Sequence, residues 1–144
     1  MFYVNVEAAV FKDDKWLLIR RSMKEEHAGG ELSLVGGTVD NEGNSNDILE
    51  RTLRRELLEE VGVEVKDLIQ YVRNTSFVLA SGKEVVDIVF LCEFDKGEPY
   101  AKSPDEIESI QWMTTDEIVN HEEVQFYLSD NILAAEAMRK KRVW

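Results

Sequence analysis

At 144 residues, of which 44% are hydrophobic and 32% are charged, the chain fits a single globular domain over residues 1–144 and is neither disordered nor fibrous. Its formal net charge of −12 argues against a nucleic-acid polymer as partner, because such binding depends on clustered cations that neutralise phosphates. No apolar run approaches the roughly 18 residues of a membrane span, and the N-terminus lacks the basic and then apolar order of a signal peptide, so we expect a cytoplasmic protein with no membrane partner.

The N-terminal part of the chain predicts strands separated by a polar loop. Apolar residues alternate over residues 4–10, a polar break follows at 13–15, and a second apolar run ends at Ile19. Residues 20–30 are polar and end in two glycines, which indicates a loop. A further strand over residues 32–35 leads into the pair Gly36 and Gly37.

A helix is predicted next. Asp47 followed by Glu50 is a spacing that caps a helix N-terminus, and the helical pattern continues to about Val61. Gly62 then supplies the residue type that most often ends a helix.

The C-terminal half predicts three strands and two helices. The strands lie at residues 63–79, 84–94 and 107–113, and Cys92, the only cysteine, is a predicted core residue in the second of them. Thr114 and Glu117 form a capping box that opens a short helix, and residues 131–140 predict a terminal helix with basic residues at its end. The order β-β-loop-β-α-β-β-β-α-α indicates a mixed α/β or α+β fold.

The first predicted helix carries acids beside an apolar stripe. Steps of four residues place the following side chains on one apolar ridge: Leu49, Leu53, Leu57 and Val61. The neighbouring ridge ends in Glu56 and Glu60, and Glu59 stands three residues after Glu56, so three acids gather on one face. Their repulsion needs compensation, either by arginines of the same helix, such as Arg55 four residues before Glu59, or by a divalent cation.

A family resemblance rests on this helix. The run Arg55-Glu56-Leu57-Leu58-Glu59-Glu60-Val61-Gly62-Val63 resembles the second half of the Nudix box. Leu34-Val35-Gly36-Gly37 is similar to the strand and double glycine that precede it in the family, with Val35 where proline is common. The first half departs from the pattern, and the simplest account is a four-residue insertion within residues 40–46. Asp47 then replaces the outer glutamate, which in the family mainly supports the arginine and the metal site.

The resemblance implies an α/β/α sandwich with a mixed central sheet. It also implies a magnesium-dependent hydrolase, with Mn²⁺ as the alternative cation, that cleaves a phosphoanhydride bond in a nucleoside diphosphate linked to another moiety. Glu56, Glu59 and Glu60 would hold the cation together with a backbone carbonyl of Gly36 or Gly37. Arg55 would orient these glutamates.

The resemblance leaves several assignments open. The general base would be Glu56 or Glu106, and Arg20 and Gly36 are candidate substrate contacts. Loops over residues 20–30 and 96–105 would recognise a small-molecule nucleotide substrate. Members often dimerise, so a monomer and a homodimer are both compatible with the sequence. The alternative function is a non-catalytic nucleotide-binding module, against which the intact box acids argue.

Overall fold

The computed structural model describes residues 1–25 and 27–142. Within these ranges the strands are β1 (Tyr3–Lys12), β2 (Lys15–Arg21), β3 (Leu32–Ser33), β4 (Val35–Thr38), β5 (Glu64–Val78), β6 (Glu84–Lys96) and β7 (Ile107–Thr114). The helices are α1 (Ile48–Val61), α2 (Thr115–Val119) and α3 (Phe126–Lys141). None of the described helices is long and apolar enough to cross a membrane.

The strands form one mixed sheet in which β1 is central. The main order is β3-β2-β1-β6-β5, with β4 also pairing β1 and β7 also pairing β2. β1 runs antiparallel to β2 and β4 but parallel to β6. Both faces of β1 are covered by other elements, and this explains why nearly every residue from Val6 to Phe11 is buried.

Helices cover both faces of the sheet. On one face, the apolar stripe of α1 (Leu53, Leu57 and Val61) packs on Val6, Ala8 and Val10 of β1. On the other face, the core contains Ile118 of α2, together with Leu128, Ile132 and Ala135 of α3, against Ala9 and Phe11. Successive residues of a strand point to opposite faces, so β1 supplies both layers of the core. The predicted α/β/α sandwich with a mixed sheet is confirmed.

The ends of α1 follow the sequence prediction at one terminus only. Gly62 ends the helix in a left-handed conformation, with φ at 69°, as predicted. Asp47 precedes the helix, but its side chain makes no capping hydrogen bond, so that prediction was wrong. The reason is its backbone: φ of 56° and ψ of 36° are left-handed, whereas a capping side chain needs the extended conformation.

Other boundaries also differ from the predictions. β2 continues through Arg20 and Arg21, so the loop begins later than expected. α3 begins at Phe126, five residues before the predicted start at Asn131. The capping box is confirmed, since the Thr114 hydroxyl accepts a hydrogen bond from the backbone N–H of Glu117. Cys92 is confirmed in the core, where burial raises the pKa of its thiol to about 12.

The loop over residues 40–46 tests the predicted insertion. It is exposed throughout, and its internal contact is a turn in which the backbone N–H of Gly43 donates to the side-chain oxygen of Asn41. We expect that deleting residues 43–46 changes the free energy of unfolding by less than about 1 kcal/mol, because the deletion removes no core contact. Chemical denaturation of the deletion variant measures this. Loss of cooperative unfolding would show that the residues are structural and that the insertion is placed wrongly.

Candidate active site

The carboxylate face of α1 lies beside the double glycine of β4. These elements and the turn before β7 surround a cavity of about 470 Å³, which we call the carboxylate cavity. Among the described residues, the glutamates that line it are Glu7, Glu25, Glu56, Glu59, Glu60 and Glu106. Arg21 is the one cationic side chain of the described lining. Such an excess of negative charge in a concave site favours a cation.

The two glycines of β4 have different neighbours. A Cβ atom at Gly37 would lie 2.5 Å from Cδ of Glu56 and 2.7 Å from its Oε1. At Gly36 it would lie 2.1 Å from the backbone oxygen of Val6. Gly36 therefore allows β4 to pair closely with β1, whereas Gly37 leaves space for a carboxylate of α1 against the strand.

Glu60 is the most perturbed of the three acids on α1. Burial, followed by the charges of Glu56 and Glu106, raises the pKa of Glu60 to about 8. Its Oε2 atom is buried, and it has no hydrogen-bond partner among the described residues. Burial also raises the pKa of Glu56, although the hydrogen bond from Arg55 opposes this shift. A buried carboxylate oxygen without a donor is a costly feature that a ligand would relieve.

The arginines of α1 do not form the ion-pair network that would make this face an ordinary solvated surface. Arg51 pairs with Glu42. Arg54 donates to three backbone carbonyls, those of Val65, Lys66 and Asp67. Arg55 lies 3.3 Å from Glu56 and 3.7 Å from Asp40. In the described part of the chain, none of these arginines pairs with Glu59 or Glu60.

The position expected of Asp47 needs a correction. The sequence predicts that Asp47 takes the place of a glutamate supporting the arginine, but the acid that reaches Arg55 from the preceding loop is Asp40.

The donor set fits a hard divalent cation in its chemistry. Glu56, Glu59 and Glu60 are oxygen donors on one helix face, and hard cations prefer such ligands. The unpartnered Oε2 of Glu60 and the space that Gly37 leaves beside Glu56 are both consistent with a bound ion. Within residues 1–25 and 27–142, however, no three acid, histidine or cysteine side chains are already grouped tightly enough to hold a metal. Binding would therefore draw the carboxylates together.

Glu106 joins the acids of α1 from another part of the chain. It lies in the turn before β7, and its backbone oxygen accepts a hydrogen bond of 2.9 Å from the N–H of Ser22. Its carboxylate is close enough to Glu60 to raise the pKa of that residue by charge and by a side-chain hydrogen bond. The structure thus brings the candidate base and the candidate metal ligands into one cavity.

Arg20 is placed outside the site. It forms an ion pair of 2.8 Å with Glu123 and donates to the backbone oxygen of Gly30. It is not among the described residues that line the carboxylate cavity, whereas its neighbour Arg21 is. Adjacent residues of a strand point to opposite sides, and this accounts for the presence of Arg21 rather than Arg20 in the described lining.

A pair of acids at the edge of the cavity was missed by sequence reasoning. Burial, and then the charge of Asp87 and a hydrogen bond with it, raise the pKa of Glu7 well above its usual range. Asp87 also accepts a hydrogen bond of 2.6 Å from the side-chain amide of Asn5. The signal available in the sequence was an acid inside the apolar strand β6, where a charge needs a partner.

The α/β/α sandwich, with the glutamates of α1 beside a double glycine, supports a hydrolase that acts on phosphoanhydride bonds. The family model described as NUDIX domain matches residues 1–132, and the chain belongs to this family. A search of curated proteins gives no match.

Solved structures agree with this assignment. The chain is 26% identical to a MutT NUDIX hydrolase from Burkholderia pseudomallei, over 93% of this chain and 98% of that one, with a TM-score of 0.79. A MutT protein from Methanosarcina mazei Go1 is 23% identical over 97% and 96% of the two chains, with a TM-score of 0.81. The NUDIX domain of Shewanella oneidensis NrtR, solved in complex with ADP ribose, is 19% identical over 98% and 88%, with a TM-score of 0.71. The last two similarities concern the fold alone.

Proposed function

We propose that the protein is a magnesium-dependent pyrophosphohydrolase, with Mn²⁺ as the alternative cation, whose substrate is a nucleoside diphosphate linked to another moiety. The observation that carries the proposal is the position of Glu60. Its buried Oε2 lacks a partner in a cavity where, among the described residues, six glutamates face one arginine. A polyphosphate would not enter so acidic a cavity without a cation to bridge it to the protein.

Four residues of α1 then have defined tasks. Glu56, Glu59 and Glu60 would hold the cation, and the backbone carbonyl of Gly37 would assist them. When bound, the cation would screen the diphosphate charge, polarise the phosphoryl oxygen and lower the pKa of the attacking water. Arg55 keeps the Glu56 carboxylate in position through their contact of 3.3 Å.

We assign the general base to Glu106 and not to Glu56. Glu56 is engaged by Arg55 and packed against Gly37. Glu106 is exposed at the rim of the carboxylate cavity and belongs to a different element, so its carboxylate is available to accept a proton from water.

The Glu106→Gln variant tests this assignment. It should lower kcat by about 100-fold or more, because positioned proton transfer contributes roughly 10²–10⁴-fold to a rate. The increase in melting temperature on adding Mg²⁺ should remain, since the ligands on α1 are intact. Measured kcat together with thermal melting separates the two effects. Normal kcat would return the role of base to Glu56.

A hydrolysis screen tests the proposed function itself. Nucleoside triphosphates, nucleotide sugars, ADP-ribose and dinucleoside polyphosphates are incubated with the protein and Mg²⁺, and the products are separated. We expect at least one substrate to be cleaved at a phosphoanhydride bond. Glu50→Gln, at a half-buried position of α1 outside the described lining of the carboxylate cavity, is the matched control for Glu56→Gln and should retain activity. Tight nucleotide binding without cleavage of any substrate would support the non-catalytic module instead.

A further inference from the structure

The chain between β6 and β7 lies across the C-terminal end of α1. We call residues 97–102 the capping segment. Its first residue, Gly97, has φ of 121°, and a Cβ atom there would meet the backbone oxygen of Gly62 and lie 3.2 Å from Cα of Val63. No side chain therefore fits between the start of this segment and the turn that ends α1, and glycine permits the close approach.

The capping segment supplies hydrogen-bond donors to the last turn of α1. The C-terminal end of a helix leaves four carbonyl groups without a partner inside the helix. The backbone N–H of Tyr100 donates to the carbonyl of Val61 at 3.1 Å. Lys102 donates twice, from its backbone N–H to the carbonyl of Glu60 at 3.0 Å and from Nζ to that of Leu58 at 3.1 Å. The segment is thus attached to the turn that carries candidate metal ligands.

A short turn connects Lys102 to Glu106. The backbone N–H groups of Glu106 and Ile107 both donate to the carbonyl of Ser103 at 2.8 Å. Ile107 is buried in the core, and the N–H of Ser22 donates to the carbonyl of Glu106 at 2.9 Å. The backbone of Glu106 is therefore held on two sides, by the sheet directly and by α1 through Lys102.

We propose that the capping segment is a positioning element, with Lys102 as its positioning residue, which sets the place of the Glu106 carboxylate relative to the acids of α1. This inference rests on the proposed function, in which Glu106 is the general base. A base must stand within hydrogen-bond reach of the attacking water, and a displacement of about 1 Å can cost on the order of 100-fold in rate. The hydrogen bonds from Lys102 to α1 oppose such a displacement.

The contacts of Lys102 favour a positioning role over contact with the substrate. Its Nζ atom donates to the Leu58 carbonyl, and a cation at the C-terminal end of a helix is stabilised by the helix dipole. Ser103 and Glu106 are among the described residues that line the carboxylate cavity, whereas Lys102 is not. Loss of a substrate contact would raise KM, whereas loss of a positioning residue should lower kcat.

Three substitutions of Lys102 remove its donors step by step. Lys102→Arg keeps a cationic donor and should leave kcat within about twofold of the wild type. Lys102→Met removes the Nζ donor and should lower kcat by about threefold. Lys102→Pro also removes the backbone N–H and should lower kcat by about 30-fold, because the turn that carries Glu106 is then free to move away from α1. KM should change by less than about twofold in all three variants. Thermal melting confirms folding, and Lys102→Met provides the test if Lys102→Pro does not fold.

A double-mutant cycle shows whether Lys102 acts through Glu106. In the Glu106→Gln background, each Lys102 substitution should lower kcat by less than about twofold, because the group that Lys102 positions no longer accepts a proton. Lys66→Met is the matched control, since it also removes an exposed lysine, one that pairs with Glu93 at 3.2 Å outside the described lining of the carboxylate cavity. It should change kcat in neither background. The same loss of kcat in both backgrounds, or normal kcat in a folded Lys102→Pro variant, would overturn the proposal.

Amide hydrogen exchange supplies a readout that needs neither cation nor substrate. In the metal-free full chain, Lys102→Met should speed exchange at the amides of Glu106 and Ile107 by about threefold and leave the amides of β1 unchanged. Exchange that is unchanged in both Lys102→Met and Lys102→Pro would contradict the positioning role, while hydrolysis by the wild type would keep the proposed function. Faster exchange in a protein that hydrolyses no substrate of the screen would contradict the function alone.

Discussion

Replacing Glu60 with glutamine should lower turnover by about 100-fold or more while making the metal-free protein more stable. Glutamine keeps the shape of the side chain but removes an anionic oxygen, so the cation loses a ligand. Mutation of residues that only support metal ligands already costs roughly 10–100-fold in metal affinity or activity, so loss of a ligand should cost at least as much. The stability increases because folding no longer has to protonate a buried carboxylate beside Glu56 and Glu106 or to bury it ionised. Steady-state kinetics and metal-free denaturation measure the two effects.

The gain in stability has a defined pH dependence. The pKa of Glu60 is about 8 in the folded protein and near 4.3 in the unfolded chain, so between these values the folded state binds more protons. Stability of the wild type therefore falls as the pH rises from about 4 to 8, and Glu60→Gln does not have this loss. The free energy of unfolding of the variant should exceed that of the wild type by nearly zero below pH 4 and by roughly 4–5 kcal/mol at pH 8, because each unit of pKa difference contributes about 1.4 kcal/mol.

The alternative for Glu60 gives a different pattern. If it were a solvated surface acid, the substitution would change stability by less than about 1 kcal/mol at every pH and would leave turnover intact. Denaturation of both proteins at pH 4, 6 and 8 without metal, together with the melting shift on adding Mg²⁺, separates the cases. A variant with normal turnover and the wild-type Mg²⁺ shift contradicts the assignment of Glu60 as a ligand.

Gly37→Ala should lower turnover by about 100-fold and barely affect folding. The new methyl group would stand 2.5 Å from Cδ of Glu56, so the carboxyl group must move by an ångström or more. Displacement of a catalytic group by about 1 Å can cost on the order of 100-fold in rate. Folding is retained because the obstructed atoms form the flexible end of a side chain, and the free energy of unfolding should change by less than about 1 kcal/mol.

Gly36→Ala is the matched comparison on the same strand. Its methyl group would meet the backbone oxygen of Val6 at 2.1 Å and Cα of Glu7 at 3.0 Å, so β4 would have to separate from β1. We expect a loss of about 3 kcal/mol or more in the free energy of unfolding. If the two alanine variants instead lose the same stability and the same activity, the specific contact between Gly37 and Glu56 is not what requires a glycine there.

Features that depend on residues close together in the sequence were predicted well. The apolar ridge of α1, its end at Gly62 and the capping box of Thr114 and Glu117 each depend on residues within about four positions of one another. The acids of α1 could likewise be assigned to one face from their spacing. The left-handed backbone at Asp47 could not be predicted, because aspartate at that position is equally suited to an extended cap.

Features that depend on the sheet were predicted less well. The choice between Arg20 and Arg21 depends on which face of β2 borders the cavity, and a register shift between these two residues in the pairing of β2 with β7 makes that face hard to infer. The pair of Glu7 and Asp87 joins β1 to β6, and these strands are far apart in the sequence. Glu7 becomes a neighbour of the acids of α1 only through tertiary folding.

The most direct test of the central claim is turnover before and after removal of divalent cations. Protein that has been exhaustively chelated is assayed on the best substrate of the screen, and Mg²⁺ or Mn²⁺ is then added back. The acids of α1 predict that turnover is abolished by chelation, is restored by either cation and is accompanied by a rise in melting temperature that Glu60→Gln lacks. Undiminished turnover in the chelated protein would contradict the metal mechanism.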